Sequence, residues 1–140
     1  MSSELWIDAV HTGGMKMIAS NGVHEVVADY PLEQGQATAG MKPPELLLAS
    51  LAACVGSVVA LLLRRMGQPV TRLEVVARGN RRDQHPTLLT DVSVKFPVHG
   101  AGVDAEAVSK ASVQADEKLC PVWTMLKPNT AITTSYVVEG

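Results

Sequence analysis

Aromatic residues are scarce in this 140-residue chain: one Phe, two Trp and two Tyr, 4% in all. A core for a domain of this size must then be built from Val, Leu, Ala and Met. Cysteine is scarcer still. Two cysteines, Cys54 and Cys120, are too few for the disulfide framework of a small secreted protein. Net charge is also low, at −2, so no global field favours nucleic acid or an acidic membrane surface. The start, Met1-Ser2-Ser3-Glu4, lacks the basic and apolar regions of a signal peptide. These absences point to a cytoplasmic protein, in which thiols rest reduced and any disulfide is transient. The four histidines and two cysteines show no metal-ligand spacing, so no metal is expected.

What the chain does have is one long apolar run. Leu46 to Leu63 contains only apolar or small residues. The run reaches the lower length limit of a membrane span. It is rich in small residues (Ala49, Ser50, Ala52, Ala53, Gly56, Ser57, Ala60), strand-like segments flank it, and no second span exists to pack against it. The reading is therefore a buried helix rather than a membrane helix. A chain this short has difficulty wrapping such a helix alone, so a homodimer is expected.

The remaining pattern predicts a single domain over residues 1–140. Strands are expected at Leu5 to Val10, Met15 to Ala19 and His24 to Ala28, with Gly13-Gly14 and Asn21-Gly22 as turns. Pro31 to Pro43 is a long loop. The first helix starts at Pro44, has Glu45 in its first turn and Arg64 and Arg65 in its last, and ends at Gly67. Val70 to Gly79 and Leu88 to Val98 form a strand hairpin. Asp104 caps a second helix, along which Val108, Ala111, Ala115 and Leu119 face inward. Cys120-Pro121 interrupts it, Val122 to Leu126 adds a short helical turn, and Ile132 to Val138 is the last strand. The order β-β-β-α-β-β-α-β is α+β.

Either cysteine alone reads as an inert small hydrophobe. Together with their surroundings they carry more. Pro44-Glu45-Leu46-Leu47-Leu48-Ala49-Ser50-Leu51-Ala52-Ala53-Cys54 resembles the first cysteine motif of the OsmC/Ohr family, the osmotically inducible and organic hydroperoxide resistance proteins. Cys120-Pro121-Val122 is similar to the second. The resemblance implies an OsmC-like fold, an intertwined homodimer with two central helices per subunit and active sites at the interface. It implies a thiol-dependent peroxidase acting on organic hydroperoxides in oxidative-stress defence. Carried onto this chain, Cys54 is peroxidatic and becomes a sulfenic acid, and Cys120 resolves it to a disulfide. An external thiol or lipoyl-type dithiol then reduces the pair, with no other cofactor.

The activators of Cys54 depart from the family pattern, which places the chain in a less characterised branch. Family members supply an arginine from the N-terminal strands, held by a glutamate ten residues before the cysteine. Here no arginine precedes Arg64, and Pro44 occupies the glutamate position. Lys16, His11 and His24 are candidate replacements, each equally readable as a surface residue. Glu45 lies nine residues before Cys54, half a turn away around a helix, and reads either as a support for the site or as a favourable charge at a helix start. Trp123, Met125 and Leu126 are candidates for an apolar substrate pocket or for core. The missing arginine motivates an alternative reading, a dimer that binds a small apolar or acyl ligand without efficient peroxidase activity. A co-purifying ligand and slow Cys54 alkylation would favour it.

Overall fold

A computed structural model describes residues 4–140, the side chain of Glu117 excepted. The chain divides into two compact units, Met1–Leu47 and Leu48–Gly140.

The first unit is an antiparallel meander of β1 (Asp8–Gly13), β2 (Lys16–Ser20) and β3 (Glu25–Ala28). Both turns follow from their residues. Gly13 and Gly14 adopt φ of 125° and 55°. Asn21 Oδ1 accepts the N–H groups of Val23 and His24 at 2.9 and 2.8 Å, closing the second turn. The first strand begins three residues later than the sequence suggests. Its partner β2 ends at Ser20, opposite Asp8, so Leu5 to Ile7 have no strand to pair with. The loop after β3 is tied by its own side chains. Gln36 Oε1 accepts the Leu32 N–H at 3.0 Å, and Asp29 Oδ2 accepts the Ala39 N–H at 2.9 Å. Met41 then bridges back to Ala28. Gly40 lies so close to β3 that a Cβ there would meet the Val27 carbonyl.

Helix α1 runs Pro43–Arg65, and Glu45 Oε1 accepts the Lys42 N–H at 2.9 Å at its start. Its end is a Schellman motif: Gly67 has φ +69°, and the Gln68 N–H reaches the Leu63 carbonyl at 3.0 Å.

In the second unit β4 (Arg72–Leu73) and β5 (Val76–Arg81) lie on one edge of β6 (Leu89–His99) and keep one antiparallel register with it. They are the single expected strand, interrupted at Glu74 and Val75. β7 (Ala131–Glu139) pairs with the other edge of β6 in parallel. A parallel partner needs a crossover. It consists of α2 (Ala105–Gln114), a π turn (Ala115–Leu119) and α3 (Pro121–Leu126). Asp104 caps α2 as expected, accepting the Glu106 N–H at 3.1 Å.

Alternate residues of β6 (Val92, Val94, Phe96 and Val98) enter one core with Leu51, Val55 and Val59 of α1 and Val108 and Ala111 of α2. Gly56 permits a close approach there, since a Cβ would stand 2.7 Å from Val75 Cγ2. The inward stripe of α2 contains one correction. Leu119, expected inside, is 49% exposed, and Cys120 is buried in its place. The π turn holds one residue more than an α-turn and shifts the inward position forward by one.

Candidate active site

Cys54 lies half-buried in α1 between the buried stripe positions Leu51 and Val55. Cys120 lies at the start of α3, fully enclosed. Both are free thiols. The fold brings them together from positions 66 residues apart in sequence, close enough for Cys54 to act on the Cys120 thiol. Cys120 is held from the other side by backbone: its Sγ accepts the Trp123 N–H at 3.4 Å.

These surroundings hold the proton on Cys120. Burial pushes the Cys120 thiol up, and so does the neighbouring Cys54. The N–H groups of Trp123 and Val122 pull the other way. The balance lies at about 11. At neutral pH Cys120 is therefore a neutral thiol.

The other candidates occupy local positions of their own. Lys16 is half-buried at the start of β2, opposite Gly13. His11 contacts the Gly14 carbonyl through Nε2 at 2.8 Å, and His24 is exposed in the turn before β3. Glu45 is exposed and is engaged with the Lys42 backbone, the reciprocal half of a capping box. Trp123 is buried, Leu126 half-buried, and Met125 67% exposed. Trp123 also lines an open cavity of about 390 Å³ with Lys127, Thr130, Ala131 and Ile132. Sequence reading missed this cavity. Its polar residues, Asp116 before α3 and Lys127 and Thr130 after it, share no periodic pattern, and only the crossover to β7 gathers them.

A charged cluster was also missed. His99 in β6 meets Glu74 Oε2 through Nε2 at 3.4 Å and Glu139 Oε2 through Nδ1 at 3.1 Å. Arg72 pairs with Glu74 at 2.7 Å. Arg72 and His99 together hold the Glu74 carboxyl below its ordinary value. Only the register across β4, β6 and β7 assembles these residues.

The OsmC-like protein family model matches residues 34–135. This chain belongs to the OsmC-like family. The matched span contains both cysteine motifs. YhfA of Escherichia coli K12 is 33% identical over 96 residues, covering 69% of this chain and 72% of YhfA. A hypothetical protein from Aquifex aeolicus VF5 superposes with a TM-score of 0.88 at 25% identity, over 99% of this chain and 98% of that one. An organic hydroperoxide resistance protein from Elizabethkingia anophelis superposes with a TM-score of 0.70 at 22% identity, over 99% of this OsmC-like chain and 100% of its own. That last likeness is one of fold.

Proposed function

We propose that this OsmC-like protein is a cytoplasmic, thiol-dependent peroxidase that reduces organic hydroperoxides. The observation that carries the reading is the meeting of two free thiols from the two motifs: half-buried Cys54 stands beside Cys120, whose buried thiol keeps its proton up to about pH 11. Cys54 is the nucleophile. Its sulfur attacks one peroxide oxygen, the O–O bond breaks, and the alkoxide leaves as alcohol after taking a proton. Cys54 is left as a sulfenic acid. Cys120 displaces the hydroxyl as water and forms the disulfide. Two thiols, or one dithiol of lipoyl type, restore the reduced pair by exchange.

Family membership and the fold shared with an organic hydroperoxide resistance protein support a role in redox or stress chemistry. The apolar surface supports a homodimer. Only a third of the most apolar stretch of α1 is buried within one chain, and Leu47 and Leu61 are 43% and 46% exposed. A second subunit over α1 would remove that surface from water.

Turnover of cumene hydroperoxide with a dithiol reductant tests the assignment. Cys54→Ser should abolish it. Cys120→Ser should still form the Cys54 sulfenic acid but no intramolecular disulfide. A Cys54→Ser protein with wild-type turnover would overturn the reading.

A further inference from the structure

The helix leading to Cys120 does not arrive as an α-helix. α2 buries Ala107, Val108, Ala111 and Ser112, and Ala115 follows at the same stride. A regular helix would next bury Leu119. The Cys120 N–H instead donates to the Ala115 carbonyl at 3.0 Å, five residues back, and Cys120 takes the inward place. On its other side Cys120 is extended (φ −93°, ψ 106°) and is followed by Pro121, which has no N–H to anchor it. Cys120 is therefore a junction between one wide backbone ring and a new helix.

Both thiols are free, so their sulfurs stand outside covalent distance, whereas a disulfide requires sulfurs about 2.05 Å apart. One cysteine must travel. Cys54 sits inside the 23-residue α1, with helix on both sides. The movement falls to Cys120. We propose that the π turn Ala115–Leu119 is the slack that lets Cys120 close onto Cys54. The ring between Ala115 and Cys120 opens, and the surplus residue is taken up as the two sulfurs meet. This rests on the redox pairing proposed above. In the closing step the Cys120 sulfur supplies the electron pair of the new S–S bond, the S–O bond of the Cys54 sulfenic acid breaks, and the oxygen leaves as water with the Cys120 proton. Single inserted residues of this kind cluster at functional sites.

Deletion of Lys118, an exposed residue of the turn, leaves the same two ends joined as an ordinary α-turn. Two oxidants are used: cumene hydroperoxide with dimedone to trap sulfenic acid, and diamide, which couples thiols without peroxide. In the deletion variant, Cys54 sulfenic acid should form at the wild-type rate, while disulfide closure slows by about 100-fold with either oxidant. Closure at the wild-type rate would overturn the proposal. Amide exchange on the wild-type protein gives a test that needs no variant. The Cys120 amide should exchange faster after oxidation while the α2 amides do not change. Unchanged protection at Cys120 would also overturn it. A wild-type protein that yields no sulfenic acid contradicts the peroxidase reading alone, because the diamide and exchange measurements still test the slack.

Discussion

At the residue scale, the position of one proton organises the site. Cys120 is enclosed by the core beside Cys54, so its charged form is disfavoured. The same fact has a consequence for stability. The Cys120 thiol ionises at about 11 in the fold, above its ordinary value of 9.0. Between those values the unfolded chain loses this proton and the folded chain keeps it, so stability falls as pH rises. The loss should reach on the order of 2 kcal/mol by pH 11. Denaturation at pH 8.5 and 11 should show Cys120→Ala lacking this part of the decline; an identical decline in both proteins would refute it. Glu74 works in the opposite sense. Its lowered carboxyl value stabilises the fold above the ordinary carboxylate range, and the benefit is lost as pH falls through the folded value.

Cys54 and Cys120 were legible in the sequence because each sits in a recognisable motif. The enclosure of Cys120 beside Cys54 was not, since it depends on how the core closes around both. Glu45 illustrates the reverse case. Its place in the first turn suggested either a supporting or a capping role, and its carboxylate is bonded to the Lys42 backbone.

At the element scale, local chemistry explains most boundaries. Asp104, the Asn21-Gly22 turn and Gly67 all act as their residue types predict. The errors arise where a partner or a neighbour overrides local pattern. β1 starts late because β2 ends, and the α2 stripe slips at the π turn because Cys120, not Leu119, fills the core. Gly40 shows an override by close approach. Any side chain there collides with the Val27 carbonyl, a backbone atom that cannot rotate away. Gly40→Ala should destabilise the first unit by about 1–3 kcal/mol and loosen the Met41 bridge to Ala28. Amide exchange at Asp29, whose N–H donates to the Met41 carbonyl at 3.0 Å, would report it; unchanged protection would count against the packing argument.

At the scale of the whole molecule, the α+β class and order of elements could be read from periodicity and turn residues. The parallel placement of β7 could not, because nothing in a strand's own sequence states which edge it joins. The long apolar helix α1 leads us to propose a second subunit over it, where Leu47 and Leu61 are exposed. Light scattering on the eluted protein should give about twice the 14.9 kDa chain mass; a stable monomer would contradict the burial argument.

The central claim is that Cys54 and Cys120 form one redox couple. Intact mass and peptide mapping after one equivalent of cumene hydroperoxide test it most directly. The account predicts loss of two hydrogens and a linked peptide pair containing Cys54 and Cys120, reversed by a dithiol. Two free thiols, or an oxidised Cys54 that never pairs with Cys120, would contradict it.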